Sequence, residues 1–250
     1  MDQPEAKPES YFVEKPGNQG RRLVISDIHG CSKTFETLLN RLDLMRKDQL
    51  FLLGDYIDRG PDSSGVLDII IGLMDDGYNI FPLRGNHEQM VIDKATFDGS
   101  DEVRTYLESN NSEDLIGKNK KIRSEYLKFF RRTAYYFELD NFYLVHAGFD
   151  FTSRTPFEAY EEMLWIRQFE PNDRVLQGKT LIHGHTPYLL DVIKDAVTSK
   201  SQVIPLDNGC VFYGENKYLG NLLCLNLDTF DLIIQENKDN VVIEDEHLRL

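Results

Sequence analysis

Five short phrases gather the residues of this chain best suited to hold metal or move protons: Asp27-Ile28-His29-Gly30, Gly54-Asp55-Tyr56-Ile57-Asp58-Arg59-Gly60, Arg84-Gly85-Asn86-His87-Glu88, His146-Ala147-Gly148 and Gly184-His185-Thr186. In extended backbone, residues two apart face the same way, so Asp27 and His29 can offer an oxygen and a nitrogen to one ion. Gly30 then lets the chain turn away. A carboxylate has two oxygens, so Asp55 has the means to bridge two cations about 3.5 to 4 Å apart, the separation at which paired metals clamp an in-line displacement. Asn86 brings a neutral amide oxygen, while its neighbour His87 points elsewhere and is free for proton transfer. Arg84 adds a fork of donors shaped for phosphate oxygens, beside a helix start that favours an anion.

Each phrase also has a plain structural reading. Asp27 can cap a helix beside a surface histidine, Asp58 and Arg59 can pair on a Gly-Asp-Pro turn, Asn86 can cap a helix, and His146 and His185 can be satisfied core histidines. Five such phrases in one chain, mixing nitrogen and oxygen donors, are harder to explain separately. Such a donor set suits manganese, iron or zinc better than calcium or magnesium, and its lack of thiolates argues against a structural zinc site.

The elements that must position these residues form a regular series. Leu23-Val24-Ile25-Ser26 is a short β-rich run, followed by helical spacing in Phe35, Leu38, Leu39 and Leu42. Leu50 to Leu53 repeats the strand, Val66, Leu67, Ile69, Ile70 and Leu73 the helix, and Asn79 to Leu83 starts a third unit. Three β-loop-α units predict an α/β fold. His29, His87, His146, His183 and His185 all fall just beyond a predicted strand, where α/β sheets place their ligands; His247 does not.

Residues 98–121 are polar, with little apolar periodicity, and are expected to form a surface insertion. Next come a helix around 125–132, strands at 134–139 and 142–146, a helix around 156–163, and β-type runs at 180–182, 202–206, 221–225 and 232–235. Residues 1–20 read as an extended arm anchored by Tyr11-Phe12-Val13, residues 21–236 as one domain, and 237–250 as a charged tail that frays.

Composition narrows the function. Among 250 residues, 28 are Lys or Arg and 42 Asp or Glu, a net charge of −14 that argues against a nucleic-acid partner needing many neutralising cations. Phosphate handling would then depend on a few arginines or on bound metal. Cys31, Cys210 and Cys224 are odd in number and widely spaced, which predicts free thiols in a reducing compartment. The N-terminus lacks a basic-then-apolar signal pattern, and apolar stretches such as Leu67 to Met74 are too short to span a bilayer. No membrane partner and a cytoplasmic location are expected.

In order and wording the five phrases resemble those of the PPP family of calcineurin-like metallophosphoesterases, over residues 22–235. The closing Leu206-Asp207-Asn208-Gly209-Cys210 is similar to the bacterial and phage branch, which includes lambda-type protein phosphatase and diadenosine tetraphosphatase. The resemblance implies an αββα sandwich with a dinuclear metal centre at the C-terminal strand ends. It implies one divalent cation, manganese before iron or zinc, on Asp27, His29 and Asp55, and a second on Asp55, Asn86, His146 and His185. It further implies His87 as general acid oriented by Asp58, and Arg59, Arg84 and Arg167 on the phosphate. Ser26, in place of a usual glycine, and Ile57, in place of a common valine, remove no ligand; His183 is left as structural or supporting.

The implied reaction is in-line attack on phosphorus by a metal-bridging hydroxide, without a phosphoenzyme. The leading expectation is a serine/threonine protein phosphatase. The alternative is a hydrolase of diadenosine tetraphosphate or another small phosphoester, and a non-catalytic phosphate-binding scaffold ranks last because every matched ligand is present. Specificity is assigned to residues 98–121 and to the loop from Asp150 to Pro156, with Trp165 and Tyr135-Tyr136 as aromatic surfaces.

Overall fold

Strands buried on both faces read as unbroken apolar runs, and their period of two divides each run between two cores. In β1 (Arg22–Ile25), Leu23 and Ile25 face a helical layer while Val24 faces the opposite way. After α1 (Ser32–Leu42), β2 (Gln49–Leu52) repeats the division, with Leu50 and Leu52 set against Phe51. Helix α2 (Ser63–Asp75) and strand β3 (Asn79–Pro82) extend the parallel run, Gln49 lying between Arg22 and Asn79. Helices α3 (Asn86–Asp93), α4 (Ser100–Ser109) and α5 (Ser124–Arg132) follow, with a π-helical turn at 94–98.

The second half builds another sheet and then returns to the first. Strands β4 (Tyr136–Glu138) and β5 (Phe142–Val145) form an antiparallel pair. Helices α6 (Tyr160–Trp165) and α7 (Asp173–Leu176) precede β6 (Thr180–His183), and α8 (Leu190–Thr198) precedes β7 (Val203–Pro205). Strands β8 (Asn221–Asn226) and β9 (Leu232–Glu236) close the chain. One sheet runs β3-β2-β1-β8-β9 and the other β4-β5-β6-β7, with β5, β6 and β7 parallel.

This computed structural model describes residues 11–17, 19–214 and 217–239. Val24, Phe51, Leu223 and Leu225 of one sheet meet Phe142, Leu144, Ile182 and Ile204 of the other. Phe35, Leu38, Val66, Ile70, Val91 and Phe130 cover the outer face of the first sheet, and Met163 and Leu176 cover Tyr143, Val145 and Leu181 on the second. The result is the expected αββα sandwich. Among the described residues no helix is long and apolar enough to cross a membrane.

Three segments differ from the sequence reading. Residues 98–121 are not a surface insertion: Val103 and Leu107, one turn apart on α4, and Leu115 are buried in the main core. Three apolar anchors among polar residues suffice to dock the segment while leaving little periodicity to read. Helix α8 was not expected, although Leu190, Ile193 and Val197 carry its spacing and the last two are buried. At the tail, Asn237 is buried and Asp239 accepts from the Lys33 and Thr34 N–H groups at 3.0 and 2.9 Å, capping α1.

Tyr11 to Val13 of the arm lie along β4, while Glu14 O accepts from Gln49 Nε2 of β2 and Lys15 pairs with Asp228. Val13 N–H donates to Glu138 O at 2.9 Å, Glu138 N–H donates to Tyr11 O at 2.8 Å, and Tyr11 stacks on Tyr136 with centroids 4.3 Å apart. The rest of the expected arm and tail, 1–10 and 240–250, lies outside the described residues.

Candidate active site

Parallel strands deliver their C-terminal ends to one edge, and all five phrases meet there. Asp27 and His29 leave β1, Asp55 leaves β2, Asn86 opens α3 beyond β3, and His146 and His185 follow β5 and β6. The turns needed are tight. His29, Asp55, Asp58, Arg59 and His185 all have left-handed backbones, with φ of 45°, 49°, 71°, 69° and 68°. Each such residue stores about 1 to 2 kcal/mol of strain, which a fold retains where the side chain's direction matters. Gly85 and Gly184 allow the closest approaches: a Cβ on the first would strike the Asp55 carboxylate, and on the second, Asp27 Oδ1.

Asp55 is the common member. Its Oδ2 lies 3.5 Å from both His29 Nε2 and His146 Nε2 and 3.9 Å from His87 Nε2. Asn86 Oδ1 lies 2.9 Å from His146 Nε2 and 3.0 Å from His185 Nδ1. The Nδ1 atoms of His29 and His146 each sit 2.8 Å from a backbone carbonyl, Ile57 O and Leu53 O, which can only accept. Both rings therefore carry their proton on Nδ1 and turn an Nε2 lone pair inward.

A metal centre explains what these contacts leave over. His146 Nε2 and Asn86 Oδ1 are two acceptors facing each other, an arrangement that a cation between them makes favourable. Asp27 Oδ1 and His185 Nε2 are buried with no hydrogen-bond partner, a cost of roughly 1 to 3 kcal/mol each unless a ligand completes them. His29, Asp55 and His87 form one cluster of donor atoms, and Asp55, His146 and His185 another, each within 4.8 Å and sharing Asp55. Asp27 stands beside them, its Oδ2 accepting from the His185 N–H at 2.9 Å. The residues present fit a dinuclear site.

The electrostatics agree with cation binding. Burial opposes ionisation of Asp55, but His146, His87, His29 and His185 overcome it and hold the carboxyl well below its usual range. Burial pushes His29 and His146 down and His185 down to about 3, so these rings stay neutral and able to ligate. Asp27 is raised well above its usual value by burial and by the nearby Asp207 and Asp55. Asp207 itself is pushed up to about 7, chiefly by burial. This crowding of buried carboxyls is relieved by positive charge.

His87 differs from the ligating rings. Burial pulls its pKa down, yet Asp55 and Asp58 more than compensate and the net shift is upward. Asp58 Oδ2 lies 2.6 Å from His87 Nδ1, which leaves Nε2 facing the site.

The arginines are placed unequally. Arg59 donates to His29 Nε2 at 2.7 Å and is part-buried. Arg167 is exposed and close enough to depress His185. Arg84 is buried, its donors reaching Thr133 Oγ1 at 3.2 Å, Gln89 Oε1 at 2.8 Å and Tyr135 OH at 3.0 Å. His183 packs edge-on to Phe169 and Tyr188, and burial lowers it to about 4.

Sequence reasoning assigned no role to Glu88, Tyr106 or Ser112. Glu88 accepts from the N–H groups of Gly85, Asp55 and Tyr56 at 2.9, 3.0 and 2.8 Å, tying the β2 and β3 loops together. Its place beside His87 was visible; its three partners were not.

Residues 20–235 match the calcineurin-like phosphoesterase family. The chain belongs to that family. Over 221 residues it is 25% identical to the asymmetrical bis(5'-nucleosyl)-tetraphosphatase PrpE of Oceanobacillus iheyensis, covering 76% of this chain and 84% of that protein. A 92-residue stretch is 39% identical to serine/threonine-protein phosphatase 1 of Salmonella typhimurium, covering 35% of this chain and 39% of that one. In fold it is similar to a crystal structure of a candidate diadenosine tetraphosphatase, with a TM-score of 0.61 at 21% identity over 91% of this chain and 98% of that one. As a calcineurin-like phosphoesterase the chain is a metal-dependent hydrolase.

Proposed function

We propose that this metallophosphoesterase hydrolyses a dinucleoside polyphosphate. The observation that carries this reading is the alignment with a bis(5'-nucleosyl)-tetraphosphatase over 76% of this chain and 84% of the relative. A protein phosphatase acting on phosphoserine or phosphothreonine is the second reading. It has the higher identity, but over only 92 residues, too short a stretch to include everything that surrounds a substrate. Both readings fit the bacterial and phage branch that the closing Leu206-to-Cys210 phrase resembles.

In this proposal Asp27, His29 and Asp55 hold one divalent cation and Asp55, Asn86, His146 and His185 the other, manganese before iron or zinc. When bound, the pair activates water and offsets phosphoryl charge. Arg59 and Arg167 orient the phosphoryl oxygens, and the buried Arg84 braces the β3 loop against Thr133 and Tyr135. His87, held by Asp58 at 2.6 Å, gives its Nε2 proton to the departing oxygen. Cys31, Cys210 and Cys224 are free and buried, consistent with the proposed cytoplasmic setting.

The test is a side-by-side assay of the Mn²⁺-loaded protein on diadenosine tetraphosphate and on phosphoserine, phosphothreonine and phosphotyrosine peptides, with Asp55→Asn as control. The expected outcome is a higher kcat/KM on the dinucleotide, with nucleotide products resolved by chromatography and absent in the control. Faster release from the peptides would establish the second reading instead.

A further inference from the structure

The segment read from sequence as a surface insertion reaches the acid side of the site at several points. Tyr106, on α4, donates its hydroxyl to Asp58 Oδ2 at 2.6 Å, the same oxygen that lies 2.6 Å from His87 Nδ1. Ser112, in the turn beyond α4, donates to Asp58 Oδ1 at 2.7 Å, and its Oγ accepts from the Asp58 N–H at 2.9 Å. Ser63, at the start of α2, lies 2.9 Å from the same Oγ. Since Ser112 spends its proton on Asp58, Ser63 donates in that contact. The grip continues along the loop: Arg59 N–H donates to Asn110 O at 2.8 Å, and Asn111 Nδ2 donates to Gly60 O at 2.8 Å.

A carboxylate with one partner can swing about its χ angles and carry that partner with it. Here both Asp58 oxygens are fixed from outside the dyad, while its left-handed backbone, at φ 71°, is clamped by two hydroxyls. His87 Nδ1 lies 2.6 Å from Asp58 Oδ2 and 3.5 Å from the Tyr106 hydroxyl, which itself donates to that oxygen, so its ring plane is set and Nε2 points toward Asp55 Oδ2, 3.9 Å away.

We propose that Tyr106 and Ser112 are positioning residues for proton transfer, fixing the Asp58 carboxylate and through it the His87 ring. The inference rests on His87 acting as the general acid. The step served is displacement at phosphorus: a water-derived hydroxide oxygen bonds to phosphorus as the bond to the leaving oxygen breaks, and the leaving oxygen takes that electron pair and then the His87 Nε2 proton. Orienting partners of this kind are typically worth 10- to 100-fold in activity, and the worth is greatest when the leaving group most needs a proton.

The experiment is steady-state kinetics of Mn²⁺-loaded protein on aryl phosphates from phenyl to p-nitrophenyl, for Tyr106→Phe, Ser112→Ala and Ser112→Thr. Tyr106→Phe and Ser112→Ala are also placed in a His87→Asn background. Tyr106→Phe should lower kcat on phenyl phosphate roughly 10-fold with KM little changed, lose much less on p-nitrophenyl phosphate, and add nothing to His87→Asn. Ser112→Thr should recover most of what Ser112→Ala loses. Ser112 is fully buried, so thermal melts accompany its variants; Tyr106→Phe removes one oxygen from a part-exposed ring and keeps the test decisive if they unfold. A Tyr106→Phe loss that is equal across the leaving groups, or undiminished in the His87→Asn background, overturns the proposal. If His87→Asn itself is insensitive to the leaving group, the acid assignment falls and the positioning role with it. If His87→Asn is sensitive and Tyr106→Phe is silent, only the positioning role falls.

Discussion

On one side of the His87 ring the buried polar atoms are satisfied by the protein; on the other they are not. Asp58 has both oxygens and its N–H engaged, by His87, Tyr106, Ser112 and Ser63. Beyond the ring, Asp27 Oδ1 and His185 Nε2 have no partner, and His146 Nε2 faces another acceptor on Asn86. Protein interiors rarely tolerate such orphans, so their gathering around Asp55, whose carboxyl is held well below its usual range, marks where a ligand belongs. The satisfied side marks a side chain that must already point correctly when substrate arrives. In the proposed assignment one site combines a region the protein completes by itself with one that cations would complete.

The sharpest break of this comparison is on the satisfied side. His87→Asn should reduce turnover roughly 10²- to 10⁴-fold, most for poor leaving groups, while metal content by elemental analysis stays at the wild-type level. A parallel loss of metal would show that His87 is a ligand instead, as its membership in the His29-Asp55 cluster permits.

A smaller effect comes from a satisfied group far from the chemistry. Asp48 is buried and accepts from Arg21 Nε and Nη2 and from the Arg21 and Met45 N–H groups. Burial opposes its ionisation, but these donors win and its pKa is lowered. A carboxyl lowered in the fold contributes stability that is fully present above its unfolded value, about 3.9, and is lost as pH falls through the lower folded value. Asp48→Asn should therefore cost about 1 to 3 kcal/mol at pH 7, measured by urea unfolding. The cost should shrink toward pH 3, with kcat unchanged at neutral pH.

How much of this was readable in the sequence depended on distance along the chain. The metal-side residues lie in compact phrases after apolar strands, and period-two facing is a local property, so Asp27, His29, Asp55, Asn86, His146 and His185 stood out. The positioning residues did not, because Ser112 is 54 residues from Asp58 and Tyr106 is 48; neither belongs to a motif. Arg84 was legible as a cation, yet its fork is largely occupied by Thr133, Gln89 and Tyr135, partners that only the packed structure supplies. An α/β fold followed from the β-loop-α order and the sandwich from the resemblance of the five phrases, whereas α4 fully buries just Val103 and Leu107, too few to announce themselves. Asp239, a tail residue by composition, caps a helix that begins some 200 positions earlier, at Ser32.

The unsatisfied donors are proposed to hold two cations, with Asp55 shared between them. Calorimetric titration of Mn²⁺ into metal-free protein tests this assignment most directly, with Asp55→Asn alongside. Two equivalents per chain are expected for the wild type, with a rise in Tm on loading as for a ligand that binds only the folded state, and loss of high-affinity binding in Asp55→Asn. One equivalent or none in a folded wild-type protein, or unchanged stoichiometry and affinity in Asp55→Asn, would contradict it.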